Sequence, residues 1–131
     1  MNEAKPMRIH HETDFDATPK RLYEALLDEK QFAACTGLPA QIDRQAGGAF
    51  SMFGGRIVGR NVELIPNQRV VQAWRVEMWP AGVYSIVRFE LVAQESGTRI
   101  VFDHTGFPPE NHDDLNSGWT ARYWEPLKKY L

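Results

Sequence analysis

His104 is the residue best placed to do chemistry. It lies in the run 98–105, where Ile100, Phe102 and His104 share one face of a strand and Arg99, Asp103 and Thr105 share the other. Strand parity singles it out as the histidine on a buried face. Beside Phe102 it could anchor a ligand's polar group, or move a proton near neutral pH. Catalysis needs partners in reach, and Asp103, adjacent in sequence, points the other way. A histidine hydrogen-bonded in the core or at a cavity wall is therefore the favoured reading, and no catalytic residue is assigned.

The other chemistry-bearing residues weigh out similarly. His10 and Glu12 share a strand face, but catalytic zinc takes three protein ligands and an open position, so a solvated edge strand is expected, without metal. His112 stands in an acidic stretch with no partner visible in the sequence. Gly54-Gly55 lacks the Lys-Ser/Thr of a phosphate loop and reads as a turn. Ser51, Ser85 and Ser117 fit no nucleophile-elbow pattern. Cys35 has no positive cluster near it and reads as a small core hydrophobe. Trp74, Trp79, Trp119 and Trp124 line a pocket or simply fill a core. Trp119 and Tyr123 can do both, because they face the sheet either way.

Composition narrows the classes. The 131 residues suit one domain, 1–131, with a loose tail over 1–6. A hydrophobic fraction of 43% and a charged fraction of 24% belong to an ordinary globular chain. Net charge is −2 and the basic residues are scattered apart from Lys128-Lys129, so no phosphate-neutralising stripe exists and nucleic acid is not an expected partner. One cysteine forms no internal disulfide. No apolar run approaches a membrane span and the start MNEAKP lacks an apolar signal region, so the expectation is cytoplasm, with no membrane contact.

These residues need elements to position them. A strand is expected over 8–16, with Ile9, His11, Thr13 and Phe15 on one face. A helix follows, with Thr18 as N-cap, Pro19 in the first turn, and Leu22, Tyr23 and Leu26 as its apolar stripe. A second short helix starts from an Asp28/Gln31 capping box, turns Phe32 and Cys35 inward, and stops at Gly37. Turn residues then separate strands over 40–46, 49–53, 56–65, 69–78, 83–94 and 98–105, an antiparallel meander whose edge the first strand joins. Val83, Ser85, Val87, Phe89 and Leu91 share the face packed on helices. Residues 111–131 read as the longest helix, with Trp119, Tyr123, Leu127 and Tyr130 on one face. Pro126 predicts a kink or a break, because it cannot donate to the Arg122 carbonyl.

That order of elements, with Ser51-Met52-Phe53-Gly54-Gly55, Gly59, Glu63-Leu64-Ile65-Pro66, Arg69-Val70-Val71-Gln72-Ala73-Trp74-Arg75, Trp79-Pro80, Gly106-Phe107-Pro108 and Gly118-Trp119, resembles the AHSA1 family. The family is named for activator of Hsp90 ATPase homologues and belongs to the START-like, Bet v1-like (SRPBCC) superfamily. The resemblance runs from about Ile9 to Tyr130. It implies an α+β helix-grip fold: a curved seven-stranded antiparallel sheet around a long C-terminal helix, two short helices between strands 1 and 2, and a cavity between helix and sheet. In the family's eukaryotic co-chaperones a domain like this follows an N-terminal domain that makes the principal Hsp90 contact. Here the first strand starts a few residues from residue 1, so ATPase activation is not expected.

Three functions follow in order. The first is a non-catalytic module binding an apolar or amphipathic small molecule, with a cavity formed by Trp74, Phe89, Phe102, His104, Trp119 and Tyr123. The second is a partner of an Hsp90-type chaperone. The third is a small cyclase or hydrolase, for which only His104 is a candidate. No cofactor is expected.

Overall fold

In the computed structural model, which describes residues 7–131, the tail expected over 1–6 lies outside the described residues. Thr18 caps α1 (Pro19–Leu27), its hydroxyl accepting from the Arg21 amide at 3.2 Å. The stripe Leu22, Tyr23 and Leu26 is buried. Asp28 accepts from the amides of Lys30 and Gln31 at 2.9 and 3.1 Å to cap α2 (Glu29–Thr36), and left-handed Gly37 ends it. The capping box is only half made. The Asp28 N–H closes α1 by donating to Glu24, so Gln31 has no reciprocal bond to make and its side-chain oxygen is buried unpaired.

The seven strands are β1 (Arg8–Phe15), β2 (Gln41–Ile42), β3 (Ala49–Met52), β4 (Ile57–Ile65), β5 (Arg69–Val76), β6 (Ser85–Gln94) and β7 (Gly97–Thr105). They form one antiparallel sheet in the order β1-β7-β6-β5-β4-β3-β2, the expected meander with β1 on its edge. Three strands are shorter than their patterns by two residues or more: β2, β5, and β6, which starts at Ser85 and leaves Val83 in the preceding loop. After Ile42 the chain leaves the ladder because the buried Asn61 pins the following loop, donating to the Asp43 carbonyl while its own carbonyl accepts from Gly47. β5 stops at Val76 because Arg75 gathers the carbonyls of Glu77, Trp79 and Pro80, which folds 77–84 into a loop rather than strand. The Gly54-Gly55 turn is a 3-10 turn over Phe53–Gly55.

Alternation holds where the strands are long. Val87, Phe89 and Leu91 of β6 and Ile100, Phe102 and His104 of β7 are buried on the concave face. The convex face carries ion pairs across neighbouring strands, including Arg8–Asp103, Arg99–Asp14 and Arg69–Glu90.

The concave face grips one helical rod built of α3 (His112–Trp119), a π-helical turn (Thr120–Trp124) and α4 (Glu125–Tyr130). No break occurs at Pro126: Trp124 and Glu125 keep helical torsions of φ −66, ψ −47 and φ −64, ψ −49. The ladder widens first, the Glu125 N–H reaching back five residues to the Thr120 carbonyl. The register change thus falls beside the residue that has no N–H to give. It also turns the aromatic residues. In a regular α-helix Trp124 would lie roughly 140° round from Trp119. With the extra residue absorbed, Trp119, Tyr123, Trp124 and Leu127 are all buried toward the sheet.

Candidate functional site

The rod packs against the sheet along one side and stands off it along the other. On the packed side Trp119 meets Phe102 with ring centroids 4.2 Å apart, and Phe89 lies 5.1 Å from Phe102. On the open side a cavity of about 680 Å³ opens to solvent. Its walls are Ile57, Trp74 and Val76 from the sheet, Leu115, Trp119 and Tyr123 from the rod, Phe53 from the 3-10 turn, and Leu38 just past α2. Arg56, Glu77, Met78, Asp114 and Arg122 also line it and are exposed, which places them at the mouth.

Of the six residues expected to form a cavity, the structure brings Trp74, Trp119 and Tyr123 to its wall. Phe89, Phe102 and His104 do not line it. They sit behind Trp119 in solid packing, because side chains on the concave faces of β6 and β7 fall directly beneath the rod. Trp119 is the partition, 5.3 Å from Trp74 on the cavity side and 4.3 Å from Tyr123.

His104 is fully buried and both ring nitrogens are committed. An indole nitrogen can only donate, so the 3.0 Å contact from Trp119 Nε1 makes Nδ1 of His104 an acceptor. Nε2 then carries the proton and donates to Ser85 Oγ at 2.7 Å, and the Ser85 hydroxyl donates to the Trp74 carbonyl at 2.7 Å. Burial pushes the imidazole down to about 3. This closed chain fixes one neutral tautomer, with no lone pair left to take a substrate's proton.

Parity puts His11 on the same β1 face as Ile9 and Phe15, and the structure turns its ring to the rod. Its Nδ1 accepts from Trp124 Nε1 at 2.9 Å, and its Nε2 donates to Asn116 Oδ1 at 2.7 Å. His104 is therefore not alone in facing the rod. The signal was the parity of Ile9, His11 and Phe15, set against two tryptophans at the spacing a π-turn brings onto one face. His10 faces out, within hydrogen-bond reach of Glu12 and Asp103, whose side chains raise its pKa, Glu12 first. Among the described residues no three His, Cys, Asp or Glu side chains converge as a metal site. The Cys35 thiol, half-buried, is pushed up to about 11 by burial.

Two buried polar atoms belong to residues of the cavity wall. The Trp74 indole N–H and the Tyr123 hydroxyl are sealed from water with no hydrogen-bond partner. Burial raises the Tyr123 phenol; the nearby Trp74 indole opposes that rise, although the two groups are not aligned as a hydrogen bond.

The mouth is electrostatically unusual. Arg8, Arg44, Arg69, Arg88 and Arg99 pair with carboxylates, Arg60 and Arg75 donate to backbone carbonyls, and Arg21 lies over the Tyr130 ring. Among the described residues, Arg56 and Arg122 are the arginines whose side chains make no hydrogen bond, ion pair or ring contact, and both border the cavity. Their sequence signal was slight: Leu115, Gly118 and Arg122 recur at helical spacing on the flank beside Trp119.

The same fold is found in an HSP90 activator from Plasmodium falciparum, whose crystal structure matches with a TM-score of 0.86 at 24% identity, covering 93% of this chain and 94% of that one. An uncharacterized protein of Schizosaccharomyces pombe is 33% identical over 114 residues, 87% of this chain and 34% of that protein. The human activator of 90 kDa heat shock protein ATPase homolog 1 is 26% identical over 115 residues, 88% of this chain and 34% of that protein. The chain thus spans about a third of the length of these two relatives. Among the described residues, no helix is long and apolar enough to cross a membrane. Residues 16–131 match the family described as Activator of Hsp90 ATPase homolog 1-like protein, AHSA1, and the chain belongs to that family.

Proposed function

We propose that this chain is a non-catalytic binding module that takes a small apolar or amphipathic molecule into the cavity between rod and sheet. The observation that carries the reading is the cavity itself: about 680 Å³, open to solvent, and walled by Trp74, Trp119, Tyr123 and aliphatic side chains. The commitment of both His104 nitrogens supports binding over a cyclase or hydrolase role. The test is a thermal-melt screen with fatty acids, sterols and aromatic polyketides. A true ligand at a hundredfold excess over its Kd should add about 2.7 kcal/mol of stability. Leu115→Trp, which fills the cavity from the rod, should abolish the gain while the protein stays folded. Failure of every class to shift the melt would sink the reading.

A second reading is favoured by sequence similarity to the heat-shock-protein activators: contact with an Hsp90-type chaperone. A pull-down with the Hsp90 of the same cell, followed by its ATPase rate with and without this chain, decides it. No retention and an unchanged rate would exclude it.

A further inference from the structure

Arginines in this fold are almost all engaged, and the two that are not stand on opposite banks of the cavity mouth. Arg56 follows the 3-10 turn beside the sheet, and Arg122 projects from the π-turn of the rod. Below them the wall is apolar and aromatic, with Leu38 and Met78 exposed at the rim, Met78 to 87%. A guanidinium offers a planar fork of donors that fits a carboxylate's two oxygens, adding geometric fit to the attraction of its charge. Glu77 and Asp114 also border the mouth, without an ion pair to either arginine. Their charge offsets part of the attraction of the two arginines, and the cost of desolvating a head grows with the square of its charge, so a head with one negative charge suits this mouth better than one with two.

From this we propose that the cavity's ligand is an amphipathic monoanion. Its apolar body lies against Trp74, Trp119 and Tyr123, and its carboxylate head is held at the mouth between Arg56 and Arg122. This rests on the binding-module reading above and names the ligand's chemical class.

A matched pair of fluorescent probes tests it: 1-anilinonaphthalene-8-sulfonate carries a monoanionic head, and N-phenyl-1-naphthylamine has the same rings without one. The wild-type chain should bind the sulfonate about tenfold more tightly than the amine. Arg56→Gln and Arg122→Gln should each remove most of that advantage, leaving the amine's affinity and the melting temperature unchanged, since both side chains are exposed. Added salt should weaken the sulfonate alone, because the mouth is open to screening. Decanoate should displace the sulfonate probe more strongly than decyl phosphate does.

Equal affinity for the two probes, or glutamine variants that bind the sulfonate as wild type does, would overturn the anion assignment while leaving the cavity reading standing. Decyl phosphate matching decanoate would overturn the monoanionic carboxylate. If neither probe binds, both readings fall together.

Discussion

Two indole N–H groups from one rod end on two histidines of one sheet: Trp119 on His104 and Trp124 on His11. Each bond needs a neutral imidazole, and for His104 the cost of charging it is large. Its folded pKa of about 3 lies below the ordinary value of 6.5. The unfolded chain therefore takes up a proton as pH falls through 6.5, while the folded chain resists until about 3. The stabilisation is fully present above 6.5 and is lost on descending that window, on the order of 4 kcal/mol in all. His104→Gln does not titrate, so wild type minus variant isolates the effect from the carboxylates. Urea midpoints at pH 7, 5 and 4 should converge as pH drops; a constant gap would refute the assignment. His10 acts in the opposite sense. Its pKa is raised, so its small contribution is present below 6.5 and fades as pH rises through the folded value.

At the scale of elements, the rod joins a proline to a π-turn, and the two should be energetically coupled. Deleting Thr120, which is exposed, would return the ladder to α-register with Trp119 and the former Trp124 four residues apart and still facing the sheet. Pro126 would then stand directly over the Arg122 carbonyl, a clash worth about 3 kcal/mol. In a Pro126→Ala background the same deletion should cost far less, so a double-mutant cycle by chemical denaturation should show about 2–3 kcal/mol of coupling. Additive effects would mean the π-turn has another cause. Here the sequence was only half legible. The Pro126 anomaly announced itself, but a widened turn and a kink both answer a missing N–H. What separates them is whether Trp119 and Trp124 must both reach the sheet, and that is a tertiary fact. The short β2 and the early end of β5 were hidden for the same reason: side chains of Asn61 and Arg75 take carbonyls that the local pattern assigns to strand or leaves to turn.

For the whole molecule, the meander and the buried face of β6 and β7 follow from alternation and turn residues and the last helix from apolar residues at helical spacing, while the grip of one on the other came with the family resemblance. Phe89, 1% exposed between Phe102 and Trp124, tests that arrangement. Phe89→Ala should lower stability by about 3–5 kcal/mol, read as a shift in denaturant midpoint. An unchanged midpoint would contradict the packing. The same logic explains why parity sets the cavity deeper than the structure has it. Parity tells that Phe102 and His104 face inward, but it does not tell whether the rod rests on them or stands clear. That distance is set by large aromatics meeting from both sides, and their bulk fills the centre and displaces the open volume toward Ile57, Trp74 and Val76.

Trp74 and Trp119 face each other across the edge of that volume, 5.3 Å apart and inclined by 34°. Two indoles held so close in a fixed, chiral orientation share their electronic excitation, and circular dichroism should then show a paired band of opposite signs absent from an isolated tryptophan. Trp119 is anchored by its bond to His104 and Trp74 by its place in β5, so the pair is rigid at the backbone end and borders the cavity at the other. A molecule entering there alters the angle or the polarisability between the rings. If a ligand enters as proposed, the near-ultraviolet dichroism to which this pair contributes, alongside Trp74–Trp79 and Trp119–Trp124, should change without any added label.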